Sequence, residues 1–388
     1  MKTLPRFLGY WLATAVTAMA AGTVLQVENG QNEQFQAVAS VPLHTALPAS
    51  FSLVEVGASG ERLGAVACVV DGSGQTPELV CMLPGITEAG ATRRLLVVPN
   101  QAPVPAATDL TVETAEKELV IRNSYFEIRH PRQGGGGLPS GVRFRLSGRA
   151  DPDLYLLDRI YRRETKRQYL LSYDRESTAT VVFQSPLRVV VETQARYCLG
   201  GEPAPGTPRA VYRFVYSPYS PVIGVTARLA KDDDDLWNEV HFLHLTRNDY
   251  LYTTFVTGDE AKVFPMNTPG EKSVSRNGSR WGVMATETDA TGVGFGGVNC
   301  WDASDEFYYY VCRSRSQWTD RTMDWAGALY FGPAFADPAE YSRWLAGPSL
   351  AAKLVSADLT AAAPETVPPP TGAYELANEA LRLVFAEV

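Results

Sequence analysis

The chain shows almost no sustained helical period. Instead, short runs rich in Val, Tyr, Phe, Leu and Thr recur between clusters of Gly, Pro, Asn and Asp: "TATVVFQ", "LRVVVETQARY", "AVYRFVYS", "VIGVTARLA", "EVHFLHLT" and "EFYYYVCR". β-Branched and aromatic side chains suit a pleated, half-buried surface, and the punctuating residues supply turns. An all-β fold follows. The best helix candidate is "DPAEYSRWLAG", residues 337–347, where Asp337 can cap, Pro338 suits the first turn and Gly347 can end the helix. At 388 residues the chain exceeds what one hydrophobic core spans, so two domains, one of them large, are expected.

Composition shifts place the boundaries. Residues 23–98 form a first block of short strands, expected to be a small β-barrel or sandwich. Residues 99–109, "PNQAPVPAATD", read as an extended tether. Residues 110–347 run on without a break and are expected to form a large antiparallel sandwich. Residues 348–372 read as a Pro/Ala-rich linker, after which "AYELANEALRLVFAEV", residues 373–388, resumes a strand pattern. Setting Asn378 against Asn123 aligns Leu376 with Ile121, Leu381 with Phe126 and Leu383 with Ile128. This tail therefore reads as the start of a further β domain, and the chain as the front of a longer modular protein.

The opening "MKTLPRFLGYWLATAVTAMAAGT" has two cationic residues, Lys2 and Arg6, an apolar run and a small-residue exit at Ala18 and Ala20. Residues 1–20 read as a removed export signal, so the protein is expected to be secreted or periplasmic. No later run reaches the roughly 20 apolar residues of a spanning helix, and no membrane insertion is expected. The formal net charge of −8 becomes two units more negative without Lys2 and Arg6, which argues against nucleic acid as a partner. Of five cysteines, Cys68 and Cys81 sit on two arms of one hairpin pattern, Cys300 and Cys312 on another, and Cys198 is left over. Two cross-strand disulfides or five buried thiols are the alternatives; no Cys-x-x-Cys spacing points to a metal or redox site.

The second block, through "LVIRNSYFEIRHPRQGGGG", "SPLRVVVETQARY" and "YRFVYSPYSPVIGVTARL", resembles the supersandwich of galactose-mutarotase-like proteins and of many polysaccharide lyases and glycoside hydrolases. The first block is similar to the small β domain that precedes it in exo-rhamnogalacturonan lyase-like proteins. The resemblance implies a carbohydrate-directed protein, with a polysaccharide or oligosaccharide as partner. "NEVHFLHL" looks like the mutarotase His strand through Asn238 and His241, but the aromatic-Asn-Leu continuation is missing, and epimerase activity is not carried over.

Three groups of residues carry candidate chemistry. In "KDDDDLWNEVHFLHLTRNDY", residues 231–250, strand alternation puts Trp237, Glu239, His241 and Leu243 on one face and Asn238, Val240, Phe242 and His244 on the other. Glu239 and His241 make a candidate pair, His241 as base or acid and Glu239 as the electrostatic partner that tunes it, with Trp237 stacking on a sugar; the plain alternative is a turn feeding an ordinary sheet strand. Asp232, Asp233, Asp234 and Asp235 are hard oxygen donors that suit calcium, although their spacing is not that of a calcium loop; no other metal or cofactor is implied. "DLYLLDRIYRRETKRQYLLSY", residues 153–173, gathers Arg159, Arg162, Arg163 and Arg167 with Tyr161, a set that suits carboxylate-bearing sugars. Trp301 belongs to an aromatic set with Trp281, Tyr308, Tyr309, Tyr310, Trp318 and Trp325, any exposed member of which could stack on a sugar ring. "GGGG", residues 134–137, has no helix after it and reads as a flexible hairpin turn. The leading expectation is the front of a polysaccharide lyase or glycosidase; the rival is a noncatalytic carbohydrate-binding or structural module.

Overall fold

A computed structural model of the chain describes residues 22–356 except 31, 248–250, 259–261, 267–273, 304–307 and 349, together with the strands Glu375–Asn378 and Leu381–Val384. The expected leader, residues 1–20, lies outside the described residues. Among the described residues the fold is antiparallel β throughout, with one α-helix, Ala339–Leu345, and two single 3-10 turns. Asp337 opens that helix as expected, its carboxylate accepting the Ala339 N–H at 2.9 Å.

A seven-stranded sheet takes up the first block, in the order Val38–Pro42, Glu78–Met82, Arg62–Asp71, Phe51–Val56, Thr92–Pro99, Thr23–Asn29 and Leu350–Ser356. Its two outer strands lie beside each other, so the sheet curls almost into a barrel around Leu25, Val27, Leu53, Leu79 and Leu95. Leu350–Ser356 corrects the expectation of a linker over residues 348–372. Its seven residues pair in register with Thr23–Asn29, and Leu350, Ala352 and Leu354 pack on the barrel core. The strand arrives from beyond the sandwich and covers what would otherwise be an exposed edge.

Residues 110–347 form the sandwich: a thirteen-stranded and a nine-stranded sheet around the main core. Strand Arg209–Tyr216 shows why the sequence folds so, because Ala210, Tyr212, Phe214 and Tyr216 alternate inward and all are buried. Fully burying a large apolar side chain contributes on the order of 1.5–3 kcal/mol. The four-glycine turn between Phe126–Pro131 and Ser140–Phe144 is packed rather than flexible. All four glycines have positive φ, and a Cβ on Gly137 would lie 2.7 Å from the Thr178 carbonyl oxygen. The Gly137 carbonyl accepts the Nδ1–H of buried His130 at 2.8 Å, which leaves Nε2 to accept from the Tyr216 hydroxyl at 2.5 Å. Burial pushes that imidazole down to about 4.

The barrel is fastened to the sandwich by Arg188, whose buried guanidinium meets Asp71 at 3.2 Å and Glu78 at 2.6 Å. Arg213 adds bonds to the Ser73 carbonyl and hydroxyl. All five cysteines are free, buried thiols. Cys68 and Cys81 stand directly opposite each other, whereas Cys300 faces Val311 and Cys312 faces Asn299, so the second pair points to opposite sides of its sheet. In the tail, Leu376 pairs with Leu383 as Ile121 pairs with Ile128, so the aligned positions of the two hairpins share one register.

Candidate functional site

The candidate site lies on the strand Glu239–Arg247, flanked by Arg159–Arg162 on one side and Tyr308–Arg315 on the other. Ile160, Val240, Phe242 and Val311 point into the main core, and Phe242 meets Trp325 of the nine-stranded sheet at 4.8 Å. Alternate residues therefore face away from the second sheet. On that face, Tyr161 stands opposite Glu239, Arg159 and Ser314 flank His241, and Trp301 stands opposite Tyr310.

Simple alternation fails partway along this strand. The register shifts between Phe242 and Leu245, and Leu243 takes φ 47, so the bulge turns Leu243 into the core and brings His244 to the side of His241. The expectation that His241 and His244 occupy opposite faces is thereby corrected: their Nδ1 atoms lie 3.2 Å apart, and both rings pack on Tyr310. Asp158 holds the bulge. Its carboxylate accepts the His244 backbone N–H at 2.9 Å and the Tyr212 hydroxyl from the opposing sheet. Full burial raises that carboxyl to about 6, with the hydrogen bonds pulling the other way. The sequence signal for Asp158 was a lone acid inside the apolar run "YLLDRI".

Glu239 Oε1 receives the His241 Nε2–H at 2.5 Å and the Arg159 guanidinium at 2.9 Å. Arg159 Nε lies 3.3 Å from His241 Nδ1. Both imidazole nitrogens of His241 are thus engaged, and its side chain is 4% exposed, whereas that of Glu239 is 38% exposed. The His241 bond holds the Glu239 carboxyl below its usual range, against the opposing effect of burial. Burial also lowers His241, despite Glu239, and lowers fully buried His244 much further. The arrangement is an ionised carboxylate steered by a neutral imidazole. Of the two side chains, Glu239 is the one that reaches solvent.

The remaining candidates separate. Trp237 is fully buried against Tyr169 and beneath Arg162, tied by paired backbone bonds to Trp318, and presents no face to a ligand. Arg162 is taken by Asp235 at 2.7 Å. Arg163 and Arg167 stand exposed at the hairpin tip, while Tyr161 and Trp301 are half-buried. Trp281, Tyr309 and Trp318 are core, and the Tyr308 side chain lies outside the described residues. The four aspartates diverge: Asp232 meets Arg209 at 2.9 Å, Asp233 lies 3.9 Å from Lys231, Asp234 meets Arg321 at 2.9 Å and Asp235 meets Arg162. Among the described residues no three His, Cys, Asp or Glu side chains gather closely enough to hold a metal ion.

An antiparallel supersandwich with a near-barrel domain is the class this architecture defines. It superposes on an alpha-mannosidase from Enterococcus faecalis V583 with TM-score 0.59 and 8% identity, over 87% of this chain and 46% of that one. It also matches a protein of glycosyl hydrolase family 38 from Enterococcus faecalis with TM-score 0.58 and 10% identity, over 88% of this chain and 48% of that one. At these identities the likeness is one of fold, and the chain spans just under half the length of either structure. No protein-family model and no curated protein matches the sequence.

Proposed function

We propose that the protein is an exported, carbohydrate-directed enzyme, the β-rich front of a polysaccharide-degrading protein of the galactose-mutarotase-like type, with Glu239 as its base. The observation that carries this reading is the Glu239 carboxylate: Oε1 is fixed by His241 and Arg159 on a face that also bears Tyr161, Tyr310 and Trp301. What recommends it is position, not basicity: the carboxylate is ionised and fixed on a sheet strand, while the His241 bond that lowers its pKa makes it a weaker base. The fold shared with an alpha-mannosidase supports a saccharide as the ligand class.

Elimination from a uronate fits the row better than hydrolysis. Glycoside hydrolysis ordinarily uses two carboxylates flanking the bond. Beside Glu239 the row brings a tyrosine and nearby guanidinium groups, which suit a uronate. Glu239 takes the C5 proton, the C4–O4 bond breaks as the C4–C5 double bond forms, and the Tyr161 hydroxyl returns a proton to the departing oxygen. Arg163 and Arg167 at the adjacent tip meet carboxylates of an acidic chain through paired hydrogen bonds. The test is Glu239→Gln, which keeps the shape of the side chain and removes its basicity. Release of unsaturated product from polygalacturonate should fall by at least about 100-fold, the usual contribution of general acid/base catalysis. Undiminished turnover would remove Glu239 from the chemistry.

A further inference from the structure

A second region gathers aromatic side chains that the Glu239 row does not use. Where the barrel meets the sandwich, a cleft of about 240 Å3 opens between the short strand Gln34–Phe35, the turn at residues 217–220 and the helix Ala339–Leu345. Phe35, Tyr219, Phe295 and Trp344 line it, with Ser220 and Arg343 as polar neighbours. All four rings are partly exposed, Phe35 at 40%. Arg343 makes a surface pair with Glu340 at 3.0 Å, a weak interaction that leaves guanidinium donors available.

Two of these rings are held at an energetic cost. Tyr219 has φ 52 and Phe295 has φ 70, in the left-handed region where an L side chain costs roughly 1–2 kcal/mol. Glycine would satisfy such turns without that cost, yet the sequence places aromatic residues there. Each is pinned by its backbone: the Tyr219 N–H donates to the Asp109 carboxylate at 2.9 Å, and the Phe295 N–H donates to the Leu345 carbonyl at 2.9 Å. Strain of this kind persists where surrounding structure imposes it, and it concentrates at ligand sites. The Arg188 pairs and the apolar contact of Val80, Met82 and Leu187 hold the two domains together, so the cleft is formed in advance. Domain junctions of this sort are preferred ligand positions.

We infer that this cleft is a second saccharide-binding subsite, in which a pyranose residue stacks on Phe35 and Trp344 while Arg343 and Ser220 bond its hydroxyl groups. The cleft is smaller than the roughly 300–1,000 Å3 of pockets that engulf a drug-sized ligand, so it takes one residue of a longer chain lying across it. The saccharide class rests on the carbohydrate reading above, but no residue is shared with the Glu239 row. Anchoring a chain here would keep a polymer on the protein between catalytic events.

The experiment is titration calorimetry with two probes, hexagalacturonate and xylohexaose, on wild-type protein, Phe35→Ala, Trp344→Phe and Glu239→Gln, with the hexagalacturonate titrations of the cleft variants repeated in the Glu239→Gln background, where the probe is not cleaved. Phe35 is exposed, so its truncation leaves the core intact, and Trp344→Phe keeps a ring should full truncation unfold the helix. The expected result is that Phe35→Ala weakens binding of one probe by about tenfold, equivalent to 1.4 kcal/mol, without loss of turnover on short substrates. Phe35→Ala and Trp344→Phe titrating like wild type, or neither probe binding at all, would overturn the assignment. A binding defect in Phe35→Ala alongside full turnover in Glu239→Gln would uphold the cleft and sink the catalytic reading. The reverse pattern would do the opposite.

Discussion

Replacing His241 with Phe removes both ring nitrogens while keeping a ring against Tyr310 and His244. The lost Nε2–H bond to Glu239 is charge-assisted, and such bonds contribute on the order of 1.5–3 kcal/mol. Two features select the low end of that range: solvent reaches a 38% exposed Glu239, and Arg159 keeps its own bond at 2.9 Å. A loss near 1.4 kcal/mol corresponds to about one pKa unit. The Glu239 carboxyl of His241→Phe should therefore titrate about one unit higher than in the wild type. The sign follows from its depressed folded value. The group contributes stability above its unfolded pKa, and that contribution is lost as pH falls through the folded pKa; the variant retains less of it at neutral pH. Carboxyl carbon shifts followed against pH in glutamate-labelled protein, with Glu239→Gln to assign the signal, read the midpoint directly. The acid limb of the pH–rate profile should move in the same direction. An unmoved or lowered midpoint would refute the claim that His241 acts through Glu239.

Two further perturbations probe the frame around the site. Gly137→Ala puts a Cβ at 2.7 Å from the Thr178 carbonyl on a backbone with φ 63, so the urea midpoint should drop by the equivalent of at least about 1–2 kcal/mol with an unchanged slope; an unchanged midpoint would mean that the glycine turn is not packed. Arg188→Leu strips the buried guanidinium from Asp71 and Glu78, and should cost toward the lower end of about 3–5 kcal/mol because Ser73 still donates to Asp71 at 2.9 and 2.6 Å. Combining it with Asp71→Asn should recover part of the loss, and strict additivity of the two substitutions would show that the pair is not coupled.

The β-rich runs and their turn residues were sufficient to read an all-β, two-part fold, because period-two burial is a local property of strands. Long-range pairing was less legible. "LAAKLVS" lies among prolines and alanines and looks like a tether, and only its partner Thr23–Asn29, more than 300 positions away, makes it a strand. In the candidate site, period two placed Glu239 and His241 on one face correctly, then failed at Leu243. A bulge at a leucine with φ 47 leaves no Gly or Asn signature in the sequence. Trp237 looked like a stacking platform until its bridge to Trp318 put it in the core. A turn at the aspartate run follows from local chemistry, but the cations that divide its charge, Arg162, Arg209 and Arg321, come from separate strands and loops that no local pattern links to it.

Elimination by the Glu239 row on an acidic polysaccharide, as proposed above, has a stoichiometric signature. The most direct measurement follows unsaturated-product absorbance and reducing ends together while the wild-type protein acts on polygalacturonate. Both should rise in equal molar amounts, since each elimination leaves one new double bond and one new reducing end. Reducing ends without absorbance would make the reaction a hydrolysis, and neither signal in the presence of measurable binding would make the chain a recognition module.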